Sequence, residues 1–93
     1  MKLDVSTNCL TELPSSIKCL VSLTSLNISD NYISKLPEEL YCLENLEVLK
    51  IDQNPICELD NGLSKLLHLK EFTCTETDIT GYCSTYLDHI HLN

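Results

Sequence analysis

The chain has 93 residues, of which 43% are hydrophobic and 5% aromatic, and it contains no tryptophan. This length is enough for one small domain, whose core must be built mainly from leucine and isoleucine. Six Lys and Arg residues against fourteen Asp and Glu residues give a formal net charge of −8. Such a surface repels phosphate groups, which argues against nucleic acids and anionic membranes as partners.

An internal repeat of 23 residues runs through the chain. Asn8, Asn31 and Asn54 lie at equal intervals, and Thr77 occupies the fourth equivalent position. Hydrophobic residues keep the same interval, as in the set Leu3, Leu26, Leu49 and Phe72. Self-similarity at such a period signals a solenoid. We predict a single domain over residues 1–93, with units at about 1–22, 23–45, 46–68 and 69–93, the last of them degenerate.

Each unit is predicted to contain one short strand. In the second unit, Leu26 and Ile28 point into the core and Asn27 points outward, because alternate residues of a strand face opposite sides. One unit cannot cover its own apolar side, so neighbouring units must bury one another. Stacking the units therefore predicts a parallel sheet.

A return segment follows each strand and turn. Pro37 suits the start of a helical segment, and it predicts a short helix or 3₁₀ turn over residues 37–43. Leu40 and Leu43 of that segment should face the core, while Glu38 and Glu39 lie in its first turn, where the helix dipole favours acids.

The third unit varies this pattern. Asp60 stands where the proline was and can cap the segment 61–67, since aspartate is a good N-cap residue. Leu63 and Leu66 should then face the core. The fourth unit departs further, with Tyr82 in place of a leucine.

The repeated asparagines are expected to form an internal ladder. After each strand the chain turns, which leaves inward-facing backbone N–H and C=O groups without partners. An amide side chain both donates and accepts hydrogen bonds, so Asn8, Asn31 and Asn54 can satisfy these groups. Thr77 is shorter and is a poorer substitute at the fourth position.

Written from Leu23, the second unit reads L-x-x-L-x-I-x-x-N-x-I-x-x-L-P-x-x-L-x-x-L. This pattern closely resembles the leucine-rich repeat family. The 23-residue period and the Leu-Pro segment are most similar to its intracellular branch, which includes Ras-pathway scaffolds of the Soc type, plant Ras-group proteins and cell-polarity scaffolds. The resemblance implies an α/β solenoid: a short arc with a parallel β-sheet on the concave face and short helices or 3₁₀ turns on the convex face.

Leucine-rich-repeat families commonly bind proteins on the concave face, which the outward strand residues form. By phase, the predicted protein-binding residues are Asp4, Ser25, Asn27, Ser29, Asp30, Tyr32, Val48, Lys50, Asp52, Gln53, Glu71, Thr73, Thr75 and Glu76. This polar, mildly acidic surface suits a basic or mixed protein partner. It can equally be a solvated face, with binding elsewhere in a longer array.

Signs of catalysis are few. The sequence has only two glycines and no phosphate-binding loop, G-x-S-x-G or H-E-x-x-H motif. Cys74 and Cys83 with His89 and His91 supply zinc-type ligands, but their spacing matches no common zinc finger. We therefore predict no catalytic residues, no metal site and no cofactor.

The six cysteines form no Cys-x-x-Cys pair. Cys19 and Cys42 are 23 residues apart, so they lie on adjacent coils, where a disulfide is conceivable. Free thiols are the expectation, which fits a reducing, cytoplasmic location. The sequence also has no apolar run of the roughly 18 residues that a membrane span needs, and its first residues do not form a secretory signal.

The sequence predicts a non-catalytic protein-interaction module, an intracellular signalling scaffold or part of one. The resemblance implies small GTPases or phosphatases as partners. An alternative is the recognition arm of a larger enzyme, such as a kinase, a ubiquitin ligase or a nucleotide-binding receptor. Another is a secreted recognition protein, in which Asn27 of the Asn-Ile-Ser sequon would be glycosylated and the cysteines would be oxidised. Because neither end shows a polar cap, a fragment, part of a longer array or an end-to-end oligomer is expected.

Overall fold

A computed structural model of the chain describes residues 1–57, 61–77 and 91–92. These residues contain one parallel sheet of five strands, which lie side by side in chain order. Equivalent residues of successive units are paired directly, so that Leu3 lies beside Leu26, Leu26 beside Leu49, and Leu49 beside Phe72. The predicted stacking is thereby confirmed. The strands are β1 (Lys2–Asp4), β2 (Ser25–Asn27), β3 (Val48–Lys50), β4 (Glu71–Thr73) and β5 (His91–Leu92).

The return segments are single 3₁₀ turns, as the sequence predicts. They span Ser15–Cys19, Glu38–Cys42 and Asn61–Lys65. Pro37 precedes the second turn as its extended N-cap residue, with φ −75° and ψ 154°, so the turn begins one residue later than the predicted segment 37–43. The proposed cap Asp60 lies outside the described residues.

Leucine and isoleucine side chains from successive units form one continuous core. The predicted inward residues Leu40, Leu43, Leu63 and Leu66 are fully buried. Their burial follows from stacking, because a unit with a neighbour on each side has both sides of its apolar interior covered. Tyr41 is also buried, although its phase had not indicated the core.

The first unit is less well covered. Its apolar residues Leu3, Val5, Leu10 and Leu20 are only partly buried and pack against the core from one side. In the described part of the chain, no helix is long and apolar enough to cross a membrane.

Candidate protein-binding face

The asparagine ladder supports the turn that follows each strand. The Asn31 side chain is 4% exposed. Its Oδ1 accepts the backbone N–H groups of Asn8 (3.0 Å) and Leu10 (2.9 Å) from the preceding unit. Its Nδ2 donates to the carbonyl oxygens of Val5, Ile28 and Ser29. One amide thus joins two units, as the ladder hypothesis requires.

Asn54 repeats this arrangement one unit further along. Its Oδ1 accepts the N–H of Ile33 at 3.0 Å, and its Nδ2 donates to the carbonyl oxygens of Ile28, Ile51 and Asp52. At the fourth position the Thr77 hydroxyl donates to the Cys74 carbonyl at 2.8 Å. Thr77 thus makes the same bond as Asn31 and Asn54, which also donate to the carbonyl oxygen of the residue three positions earlier.

A row of left-handed residues lies along one side of the concave face. Thr7, Asp30, Gln53 and Glu76 have φ angles of 59°, 57°, 55° and 56°, and each immediately precedes the ladder position of its unit. The N–H of Thr7, Asp30 and Gln53 donates to a carbonyl of the next unit at 2.8–3.0 Å. The parallel hydrogen bonding therefore continues beyond the three-residue strands and holds these side chains at the surface.

Some predicted binding residues act within the solenoid. The Asp52 carboxylate accepts bonds from the Thr73 hydroxyl (2.8 Å), the Thr75 hydroxyl (3.0 Å) and the Thr75 N–H (2.7 Å). Thr73 is only 8% exposed. These three residues brace the third unit against the fourth, so they offer little to a partner.

Two further residues cap their own strands. The Asp4 carboxylate accepts the hydroxyl (2.6 Å) and the N–H (2.9 Å) of Ser6. These bonds hold the pKa of Asp4 below its ordinary value, and the positive charge of Lys50 adds to the effect. The Asn27 Oδ1 accepts the Ser29 N–H in the same way. The Ser29 hydroxyl oxygen, in contrast, is buried without a hydrogen-bond partner.

A shallow groove lies where the left-handed row meets the ladder. It has a volume of about 410 Å³ and is lined by Asp30, Tyr32, Gln53, Glu76 and Pro55 among others. Tyr32 is 63% exposed. The Gln53 amide donates to Glu76 at 2.7 Å, whereas Asp30 accepts only a long bond of 3.3 Å from Thr7. The structure thus brings three predicted binding residues, Asp30, Gln53 and Glu76, together beside the exposed ring of a fourth, Tyr32.

The remaining predicted residues occupy the sheet surface. Ser25, Val48, Lys50 and Glu71 are half-buried between neighbouring strands. Among the described residues the only ion pair joins Lys70 to Glu47 at 3.8 Å, outside the predicted set. The Lys50 ammonium therefore keeps its charge available to a partner, within a surface that is otherwise mainly acidic.

Cysteines do not form a reactive centre in the described residues. Cys9, Cys19, Cys42 and Cys57 are exposed free thiols, while Cys74 is half-buried against the core. Burial, with a smaller effect of Asp52, raises the pKa of the Cys74 thiol and so disfavours the nucleophilic thiolate. The described part of the chain also contains no group of three or more metal-ligating side chains.

Comparison with known proteins identifies the repeat. The family model described as leucine rich repeat matches residues 1–56. A leucine-rich-repeat protein structure from Leptospira interrogans aligns over 99% of this chain and 24% of its own, with a TM-score of 0.93 and 25% identity. The functional domain of InlJ from Listeria monocytogenes, which includes a cysteine ladder, aligns over 98% of this chain and 19% of its own, with a TM-score of 0.80 and 26% identity.

The chain therefore spans about a quarter or less of either structure. No curated protein matches the sequence significantly. Leucine-rich-repeat domains generally mediate protein–protein interactions and are typically non-catalytic. The matched family model, the 23-residue register of the sheet and the asparagine ladder agree, and the chain belongs to the leucine-rich repeat family.

Proposed function

We propose that the chain is a non-catalytic protein-binding module whose partner docks on the concave face, centred on the groove beside Tyr32. The observation that carries this proposal is the exposed tyrosine that lines a shallow groove together with Asp30, Gln53 and Glu76. Tyrosine is enriched among the residues that dominate binding energy at protein interfaces, because its ring buries a large area at little entropic cost.

Charge indicates the kind of partner. Asp30 and Glu76 flank the groove. Asp52 is already occupied by three internal hydrogen bonds, whereas Asp30 has only the long bond from Thr7. A partner surface with Lys or Arg side chains opposite Asp30 would complement this charge and speed association.

The resemblance to Soc-type scaffolds supports a cytoplasmic role in assembling signalling proteins, with small GTPases or phosphatases as the first partners to test. Free thiols in the described units suit that compartment. The leucine-rich-repeat fold is shared by proteins that bind many different partners. The signalling role is therefore proposed by analogy with the scaffolds that the sequence resembles.

Comparative affinity capture tests the docking surface. The tagged chain and its variants would be incubated with lysate of the source organism under reducing conditions, and retained proteins would be quantified by mass spectrometry. Tyr32→Ala removes the aromatic ring, and Asp30→Asn removes one charge while tolerating the left-handed backbone. Val21→Ala is the control for loss of an exposed apolar side chain, because Val21 is 62% exposed and is not among the predicted concave residues.

We expect proteins that wild type and Val21→Ala both retain to be depleted about ten-fold or more by Tyr32→Ala, the loss typical of a central aromatic contact. Retention unchanged by both concave-face variants would refute the proposed surface. Purified small GTPases, loaded with GDP or a GTP analogue, would then test the partner class directly by biolayer interferometry. Binding that is absent in both nucleotide states would remove that class.

A further inference from the structure

The Asp30 carboxylate keeps acceptor capacity at the groove beside Tyr32. Its Oδ2 accepts the Thr7 hydroxyl at 3.3 Å, which is a long bond. In the described part of the chain the ion pair is between Lys70 and Glu47, so no lysine there neutralises Asp30. The Asp30 backbone is held in place, because its N–H donates to the Asp52 carbonyl at 2.8 Å. An exposed charge on a fixed backbone is thus offered to a partner.

Gln53 presents a second acceptor to the same groove. Its Nε2 donates to Glu76 Oε2 at 2.7 Å. A carboxylate only accepts, so the amide nitrogen faces Glu76 and the amide oxygen lies on the other side of the group. Asp30, Gln53 and Glu76 follow one another along the left-handed row, with Gln53 in the middle. The Gln53 Oε1 is therefore on the Asp30 side of the groove.

Two rings line the groove beside these oxygen atoms. Tyr32 and Pro55 are one repeat apart, both are exposed, and both contribute to the lining. The Tyr32 N–H donates to the Leu10 carbonyl at 2.7 Å, which fixes the backbone that carries the ring. The groove thus combines a carboxylate, an amide oxygen and an aromatic ring.

Resting on the docking surface proposed above, we infer that this groove binds an arginine side chain of the partner protein. The guanidinium lies against the Tyr32 ring, donates two N–H bonds to the Asp30 carboxylate and donates a third to Gln53 Oε1. A guanidinium is planar, carries five donors in a fixed fork and stacks on aromatic faces, so it satisfies all three groups together. Glu76 acts as a positioning residue, because it orients the Gln53 amide.

Other cations fit this arrangement less well. A lysine ammonium would match the charge of Asp30, but it is a compact point charge that neither forks across a carboxylate nor stacks as a plane. A divalent cation needs several oxygen ligands within about 2.6 Å. The backbones of Asp30 and Glu76 lie two strand spacings apart, roughly 10 Å, so their carboxylates do not converge on one ion.

Selection of displayed random peptides tests the inference without a known partner. The peptides would be selected on the immobilised chain under reducing conditions, and each one retested on Tyr32→Ala to identify those that bind the groove. We expect these Tyr32-dependent peptides to contain arginine. In a synthetic form of the tightest one, replacing that arginine by lysine, or by planar but uncharged citrulline, should weaken binding about ten-fold or more by fluorescence anisotropy.

Protein variants assign the contacts. Asp30→Asn, which tolerates the left-handed backbone, should weaken the arginine peptide about ten-fold and abolish its advantage over the citrulline peptide, because the two changes remove the same ion pair. Tyr32→Phe should keep the affinity and Tyr32→Leu should lower it, since only the former retains a ring face. Glu44→Gln is the matched control, because it neutralises an exposed acid outside the concave face and should leave binding unchanged.

Two outcomes would overturn the inference, and they differ in what they leave standing. Tyr32-dependent peptides that bind equally well with arginine, lysine or citrulline would overturn the arginine assignment and retain the groove as a docking surface. A selection that yields no Tyr32-dependent peptide would contradict the docking surface itself and the arginine assignment with it. Circular dichroism would verify that each variant is folded.

Discussion

Replacing Asn31 with alanine tests how the units are held together. The substitution removes five hydrogen bonds, but not every partner is left without one. The Val5 carbonyl still accepts Asn8 Nδ2 at 3.0 Å, and the Ile28 carbonyl still accepts Asn54 Nδ2 at 2.9 Å.

The Ser29 carbonyl likewise still accepts the Thr7 N–H at 3.0 Å, so the groups left without a partner are the N–H of Asn8 and the N–H of Leu10. Leaving a buried polar group unsatisfied costs about 1–3 kcal/mol, with the lower end fitting these part-buried groups. We therefore expect Asn31→Ala to lower the free energy of unfolding by about 2 kcal/mol. For a domain of this size, that corresponds to a fall of roughly 8 °C or more in melting temperature.

Urea unfolding followed by circular dichroism would measure the change, with Asn8→Ala as the matched control. Asn8 is exposed, and its loss leaves only the Ser6 carbonyl without a side-chain donor. Its cost should stay below about 1 kcal/mol because water can replace an exposed bond.

The double variant Asn8→Ala/Asn31→Ala is more informative still, because the Val5 carbonyl then loses both amide donors. Its cost should exceed the sum of the single variants by about 1 kcal/mol. Equal effects of Asn8→Ala and Asn31→Ala, or strict additivity, would refute the shared-acceptor arrangement.

Four further results are expected. Leu49→Ala should destabilise the chain by about 2–5 kcal/mol in urea unfolding, whereas Leu67→Ala, at a residue that is 75% exposed, should stay within about 0.5 kcal/mol. Ser29→Ala should be neutral or slightly raise the melting temperature, since it removes a buried hydroxyl without a partner, and a loss of several degrees would contradict this. Cys74 should react with iodoacetamide more slowly than the exposed cysteines, and equal labelling rates by mass spectrometry would contradict its burial. The lowered pKa of Asp4 contributes stability that is present above its unfolded-state pKa and is lost as pH falls through its folded-state pKa; acid titration of Asp4→Asn should lack that component.

Much of the fold could be predicted because the sequence repeats its apolar phase. The alternation of Leu26, Asn27 and Ile28 predicted one strand, and the 23-residue interval carried it to the next units. The buried amides of Asn31 and Asn54 were predicted from a physical need, since the turn leaves backbone groups that only a donor and acceptor together can satisfy.

The left-handed row could not be predicted in this way. Of its four members, Thr7, Gln53 and Glu76 are residue types that do not favour positive φ, and none is glycine. The conformation is imposed by the stack, as when the Gln53 N–H reaches the Thr75 carbonyl of the next unit. The only feature of the sequence that could have indicated the row is that its members recur at a constant position, one residue before each ladder residue.

The binding face was predicted as a set of outward phases, which could not separate residues that brace the stack from those that remain available. Asp52 and Thr75 belong to the first group, because their side chains bond to each other across units. Asp30 and Tyr32 belong to the second. That division depends on the contacts between particular side chains in neighbouring units, which phase alone does not specify.

The central claim is that buried asparagines fasten the first unit to the second and the second unit to the third. NMR couplings across hydrogen bonds measure this directly, from the backbone nitrogen of Ile33 to the side-chain carbonyl carbon of Asn54 and from that of Leu10 to Asn31. We expect both couplings to be observed and the Ile33 amide proton to exchange slowly with solvent. Absent couplings with rapid exchange of that amide would contradict the claim.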